Sequence, residues 1–359
     1  MKHPSAAFLA LLLAAAPAPA QVRHEIPVPH PPGFRTLVCD FHTHTVFSDG
    51  SVWPTVRIDE AWRTGLDAIA LSDHIEYQPH AEDIPTKHQR PFQLCEQRAR
   101  EHALLLIRAA EITRDTPPGH FNALFLNDID AIGTGPFPEP FRLASQQGAF
   151  VFWNHHDWQG PDRGNWLDIH QQLFDEKLLH GMEVANGDSY YPRAHQWCLD
   201  RNLTMLGNSD IHAPDLRRKS TATNHRTCTL VFVTEPSIEG IRQALTERRT
   251  AVWLGNQVIG RSEWLEPLFK ACLEIEAPHL RAGDTAWVRV RNRSPFDLRL
   301  RRTAGPGPNR ADLPAETVSL LKVRVPADGT PVEFAYTVEN FLVAPETGLP
   351  VVHRVAATQ

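Results

Sequence analysis

Between residues 36 and 256 the chain repeats one pattern: a short apolar run, a polar cluster, then a segment with helical spacing. The runs 37–39, 67–71, 104–107, 121–126, 148–153, 181–184, 203–206, 229–233 and 251–254 have strand length and apolar composition, which predicts buried strands. Trp53-Pro54 opens an amphipathic helix carrying Val56, Ile58, Ala61 and Trp62, and residues 238–248 predict a closing helix. Strands alternating with helices predict a parallel α/β arrangement. The polar clusters follow the strands, and a βα barrel carries its functional residues at that end. An open doubly wound sheet is the alternative, but no glycine-rich nucleotide loop follows a strand. The barrel is therefore the expected fold of residues 36–258.

From about Ser262 the period becomes two. Ala286-Trp287-Val288-Arg289-Val290-Arg291-Asn292, Leu298-Arg299-Leu300, Leu321-Lys322-Val323-Arg324-Val325 and Val332-Glu333-Phe334-Ala335-Tyr336-Thr337-Val338 alternate, with turns rich in Pro, Gly, Asp and Asn between them. This predicts a small, helix-free antiparallel β domain over residues 262–359, sandwich-like and without a ligand-type cluster.

The ends and the composition narrow the class. Lys2, the apolar run 6–16 and Ala18-Pro19-Ala20 describe a secretory signal peptide over residues 1–20, cleaved near Ala20, so the expected location is periplasmic or secreted. The run is too short to span a bilayer, and no membrane span is expected. Residues 21–35 form a proline-rich leader without helix or ladder potential. The formal charge is −6 and the longest basic run is Arg217-Arg218-Lys219, so no nucleic-acid footprint is expected. Cys39, Cys95, Cys198, Cys228 and Cys272 have no C-x-x-C spacing, which removes thiolate zinc sites. Cys39 and Cys228 lie in strand-like runs and read as small core residues.

The first polar cluster holds His42-Thr43-His44. A His-x-His pair leaving a strand sends both imidazoles to one side, where they can share an ion. Alone, that spacing is a modest signal. It gains force because Asp49, His74, Glu111, His120, His155, Asp210 and His212 stand at other strand ends, giving nine nitrogen or oxygen ligands in all. A zinc ion takes three or four, so nine suit two or three clustered divalent ions, with Glu111 and Asp210 able to bridge. The absence of sulfur fits Zn, Mn or Fe. Asp40 and Asp73 read either as ligands or as groups that orient ligands, Glu183 as a buried hydrogen-bonding group, and Arg226 as an anion clamp or a rim salt bridge. Trp153 and Trp158 read as pocket walls or core.

His42-Thr43-His44 with Ser48-Asp49-Gly50, Ser72-Asp73-His74, Glu111, Gly119-His120, Asn154-His155 and Ser209-Asp210-Ile211-His212 resemble the motifs of the PHP (polymerase and histidinol phosphatase) superfamily of metallohydrolases, in that family's order. The resemblance implies a distorted (β/α)7 barrel with one ion on His42, His44, Glu111 and Asp210, a second on Glu111, His120 and His155, and a third on Asp49, His74 and His212. Many relatives have His-Pro where this chain has His155-His156. His155 is the expected ligand, which leaves His156 to face the substrate. Asp49 fills a place that is His in some members. Asp73-His74-Ile75-Glu76-Tyr77, Glu111-Ile112-Thr113-Arg114 and Pro117-Pro118-Gly119-His120-Phe121-Asn122-Ala123 look like a secreted branch with a C-terminal β domain, similar to phosphodiesterases of small organophosphate diesters. The expected chemistry is hydrolysis of a small-molecule phosphate ester by in-line displacement, with metal charge lowering the pKa of water. His156 or Tyr77 is the candidate donor to the leaving alkoxide, and Arg114 the candidate partner of a non-bridging oxygen. Hydrolysis of a carbamate, an ester or a phosphomonoester is the alternative, and the oligomeric state stays open.

Overall fold

A computed structural model describes residues 21–85, 87–326 and 332–355. The expected signal peptide lies outside the described residues. β1 (Arg35–Asp40), β2 (Ala68–Leu71) and β3 (Leu105–Ile112) run parallel, linked by α1 (Pro54–Arg63) and α2 (Arg90–Glu101). β4 (Phe121–Leu124) is antiparallel both to β3 and, after α3 (Glu139–Gln146), to β5 (Phe150–Trp153). α4 (Asp168–Asp175) leads to β6 (Gly181–Asn186), parallel to β5, and the two-residue β7 (Ser189–Tyr190) folds back on it. α5 (Pro192–Asp200) returns the chain to β8 (Thr204–Asn208), parallel to β6. β9 (Cys228–Val233) then lies antiparallel to β1, and after α6 (Ile238–Thr246) come β10 (Thr250–Leu254) and β11 (Gln257–Gly260). The first-domain helices begin as their sequences require: Pro54 takes the first turn of α1, and Ser237 caps α6 by accepting from Gly240 N–H.

The mixed α/β sheet meets the sequence expectation, while the regular (β/α)7 ring is met only in part. A loop rather than a helix joins β3 to β4, β4 is antiparallel to β3 and β5, and β9 to β11 run antiparallel to one another, with β9 also antiparallel to β1. Among the described residues no ladder joins β8 to β1. A side chain bridges that gap instead: Asn208 Oδ1 accepts from Phe41 N–H, just past β1, at 2.8 Å. β8 is also held against β9, where Thr229 Oγ1 donates to Gly207 O at 2.8 Å, and packs so closely on β10 that a Cβ at Gly207 would stand 2.2 Å from Val252 Cγ1. Just past the ends of β8 and β1 the two segments do pair. His44 N–H donates to Ile211 O (3.2 Å) and Asp210 N–H to His42 O (2.9 Å), which sets two sequence-distant ligand candidates side by side.

The C-terminal part is a sandwich of alternating strands. One sheet holds β12 (Leu273–Ile275), β13 (Leu280–Ala282), β14 (Thr285–Asn292) and β17 (Val318–Arg324); the other holds β15 (Leu298–Ala304), β16 (Arg310–Leu313), β18 (Val332–Ala344) and β19 (Thr347–Val355). One expectation is corrected: residues 262–272 form a helix, α7 (Ser262–Cys272), with Leu265, Leu268, Phe269 and Cys272 buried. Strict alternation begins only after it. The long β18 pairs parallel with β11 through Val258–Phe341 and Ile259–Leu342, so the second sheet continues the first. Phe296 packs on Trp253 at 5.3 Å and on Phe341 at 5.7 Å, filling the joint. All five cysteines are buried and unpaired, and no described helix is long and apolar enough to cross a membrane.

Candidate active site

Each ligand candidate leaves a strand end or the loop just beyond it, and all nine converge. Glu111, at the end of β3, is fully buried and central. Its Oε2 lies 3.1 Å from His42 Nε2, 3.3 Å from His44 Nε2 and 3.2 Å from His74 Nδ1. Its Oε1 lies 3.1 Å from His120 Nδ1 and 3.7 Å from His155 Nε2. Asp210 Oδ1 faces His42 Nε2 at 3.1 Å and His44 Nε2 at 3.0 Å. Asp49 Oδ1 meets His212 Nε2 at 3.1 Å and both His74 Nε2 and His44 Nδ1 at 3.5 Å. Asp210 has a φ of +50°, a left-handed conformation that aspartate tolerates better than most residues and that functional sites often hold.

These contacts divide into overlapping groups: His42, His44 and Asp210; His42, Glu111 and His155; His74, Glu111 and His120; and His44, Asp49, His74 and His212. The residues fit divalent ions. His44 Nε2 and Asp210 Oδ1 are buried 3.0 Å apart, yet neither makes a hydrogen bond, and buried polar atoms are rarely left so. Imidazole and carboxylate together form the donor set of Zn, Mn or Fe.

Neighbouring polar groups fix these side chains. Glu183, on β6, is fully buried and does not itself line the cavity. It sits behind His42, with Oε1 2.9 Å from Nδ1 and accepting from Asn208 Nδ2, while Oε2 accepts from His155 N–H and Asn186 Nδ2. That is the carboxylate–histidine pairing that orients metal-ligating imidazoles, and it bears out the buried hydrogen-bonding reading. Asp73 accepts from Thr45 N–H, Thr45 Oγ1 and Ser48 Oγ, each at 2.7 Å, and pins the 42–50 loop rather than joining the cluster. Gly50 closes that loop, since a Cβ there would stand 2.6 Å from His44 backbone carbon. Asp40 accepts from Ser209 N–H and Oγ. Arg226 is a buried salt-bridge residue, 2.7 Å from Asp215 and 3.5 Å from Asp40, not an anion clamp.

Sequence reasoning missed Arg57 and Asn122. Arg57, fully buried on α1, donates to His44 O, His212 O and Ala213 O. Its signal was a charge at 57, among the apolar positions 54, 58 and 61 that α1 buries. Asn122 Oδ1 accepts from Asn154 Nδ2, which also donates to Glu111 Oε1.

Burial alone would push the Glu111 carboxyl up, but the imidazoles of His74 and His42 and hydrogen bonds from His120 and His155 hold it well below the usual range. The same contacts act in reverse on the histidines. Burial opposes the charged form of His74, yet Glu111 and Asp49 push its pKa up to about 9, and His42 is also raised well above its ordinary value by Asp210, Glu111 and Glu183. A ligating imidazole must be neutral. In the ion-free protein these rings therefore hold protons at pH 7, ion uptake displaces them, and apparent ion affinity falls as pH is lowered. Zinc titration calorimetry in two buffers of unequal protonation enthalpy is expected to show net proton release; equal heats would refute it.

The cluster opens into a cavity of about 820 Å³ lined by Asp49, His74, Glu76, Tyr77, Arg114 and Trp158 among others. Tyr77 and Trp158 are half-exposed at its wall, with Trp158 5.5 Å from His120 and 5.9 Å from His155, so Trp158 is a pocket wall. Trp153 is core. Arg114 borders the cavity but is paired with Glu76 and donates to Gly135 O.

His156 requires correction. His155 turns toward Glu111 and Asp210, whereas His156 is buried on the other side against Trp153, Tyr191 and Trp197, with ring centroids 5.1 to 5.9 Å away and neither nitrogen hydrogen-bonded. Burial, then the nearby Arg193, His155 and His170, lower its pKa to about 3. It does not line the cavity and is withdrawn as a proton donor. His156→Phe is expected to keep turnover close to wild type and to change stability by less than about 1.5 kcal/mol, as near-isosteric core swaps do. Loss of turnover with an intact fold would reinstate it.

The whole chain has a clear counterpart. A two-domain protein of Bacteroides vulgatus ATCC 8482, containing a predicted PHP-like metal-dependent phosphoesterase, is 44% identical, with a TM-score of 0.88 over 94% of this chain and 100% of that one. The chain belongs to the PHP-like metal-dependent phosphoesterase family. Residues 273–353 of this PHP-like protein match an Ig-like domain model, in keeping with the sandwich that follows α7. A candidate metal-dependent phosphoesterase of Bifidobacterium adolescentis ATCC 15703 is 17% identical, with a TM-score of 0.40 over 58% of this chain and 95% of that one. No curated protein matches the sequence.

Proposed function

We propose that the chain is a phosphodiesterase of small organophosphate diesters. The observation that carries this is Glu111, one buried carboxylate whose two oxygens face five imidazoles. That sharing suits two or three closely spaced ions: one on His42, His44, Glu111 and Asp210, one on Glu111, His120 and His155, and one on Asp49, His74 and His212. Such ions lower the pKa of water and neutralise charge on phosphoryl oxygens. Around them we assign Arg114, which borders the cavity while paired with Glu76, to a non-bridging oxygen, and Tyr77 to the leaving alkoxide. A diester is favoured over a monoester because, apart from Asp49 and Asp210, whose charge the ions would offset, Glu76 and Asp115 line the cavity with Arg114, itself tied to Glu76. A monoanion fits that balance better than a dianion. We also read residues 1–20 as an export signal, on their sequence alone.

The deciding experiment compares turnover of bis(4-nitrophenyl) phosphate with 4-nitrophenyl phosphate, with metal content measured on the same preparation. Two or three equivalents of metal and preferential diester turnover support the reading. Preference for the monoester, or turnover of aryl carbamates instead, would replace it.

A further inference from the structure

We propose that the interior of the C-terminal sandwich is a binding site for a single free fatty-acid chain. The two sheets pack tightly at the end next to the first domain, where Phe296, Leu298, Val338 and Leu349 are sealed from solvent. Beyond that end they enclose a cavity of about 350 Å³. Val288, Val290, Leu300, Val323, Phe334 and Tyr336 project into it from four strands of both sheets. These inward residues keep 3–9% exposure, whereas Ile69, Phe152, Leu206 and Phe232 in the first domain have none. The middle of the sandwich is therefore open to small molecules, a chamber and not a closed core.

The chemistry of the wall defines the occupant. Deep in the chamber, among the described residues, the polar side-chain atom is Tyr336 Oη, and it already donates to Pro308 O at 3.1 Å. A ligand there finds no free hydrogen-bond partner, so its buried part is hydrocarbon. Water gains little in such a space, and much smaller apolar cavities, of about 150 Å³, stay dry and take up hydrocarbons. The volume falls within the range of roughly 300–1,000 Å³ typical of ligand pockets. The exposed lining residues Lys270, Ile275 and His353 mark the mouth, at the edge where three-residue β12 stops short beside β19. A hydrocarbon tail inside leaves a carboxylate at the exposed mouth, in water and beside the Lys270 ammonium, which Glu266 already holds at 2.6 Å.

The test titrates the full chain with dodecanoate by calorimetry, beside sedimentation with phosphatidylcholine vesicles. Saturable one-to-one binding of dodecanoate without vesicle co-sedimentation is expected. Ala311→Phe, which fills the chamber, is expected to weaken binding at least tenfold while phosphate-ester turnover stays unchanged, since Ala311 is on β16 of the sandwich and does not line the ion-cluster cavity. Leu300→Ala, which enlarges it, is expected to shift preference from dodecanoate toward hexadecanoate, and it keeps the test decisive if the filled variant does not fold. Absence of saturable binding, binding unaffected by both substitutions, or attachment to vesicles alone would overturn the proposal.

Discussion

Glu111→Gln is expected to abolish turnover of the preferred phosphate ester, by at least about 10³-fold. That corresponds to roughly 4 kcal/mol of lost transition-state stabilisation, the several kcal/mol that a correctly held ion supplies. The substitution preserves shape and removes one charge and one acceptor oxygen. Five imidazoles then lose the anion they share, and Asn154 Nδ2, which donates to Oε1 at 3.0 Å, opposes either an amide oxygen or an amide NH₂. Metal content by elemental analysis is expected to drop by at least one equivalent. His42 and His74 are expected to titrate lower than in the wild type, because Glu111 is among the groups that raise both. Normal turnover with full metal content would remove Glu111 from the centre of the site.

How far the sequence foretold this site follows from which physical signals are local. The His42/His44 pair was legible because strand alternation fixes both side chains relative to one backbone direction. His74, Glu111, His155, Asp210 and His212 were legible because each follows an apolar run, His120 because it directly precedes one, and Asp49 because it shares the loop of the His pair. His156 was not, since two adjacent residues leave a strand on opposite faces and only the packing of Trp153, Tyr191 and Trp197 shows which face is which. The antiparallel course of β4 and the fusion of β11 with β18 depend on contacts distant in sequence, up to Ile259–Leu342. Helix α7 was hidden because Pro267 interrupts its pattern within residues attributed to the β domain. Arg57 and Glu60 look like ordinary helix-surface charges until tertiary structure buries them.

That buried pair yields the largest stability effect. Arg57 Nη1 lies 2.6 Å from Glu60 Oε2, and its other nitrogens donate to His44 O at 3.1–3.2 Å and His212 O at 3.1 Å. Glu60 Oε1 accepts from Asp215 N–H, and Asp215 pairs with Arg226, which reaches Asp40. Arg57→Met therefore removes the closest cation from buried Glu60, leaving it Arg226 at 3.7 Å and the Asp215 N–H, strips His44 O of its side-chain donor, and leaves His212 O to Ser51 alone. Breaking such a pair costs about 3–5 kcal/mol, and loss of groups that orient ligands weakens metal binding by about 10–100-fold. Denaturant unfolding and zinc affinity are expected to report both losses. Adding Glu60→Leu separates their causes. The double variant removes the underpaired charge and is expected to regain part of the stability, yet it restores neither the donor to His44 O nor the Arg57 contact to His212 O, so zinc affinity stays low. Recovery of both together would mean that Arg57 serves the fold alone; recovery of stability without affinity places it in the positioning of His44 and His212.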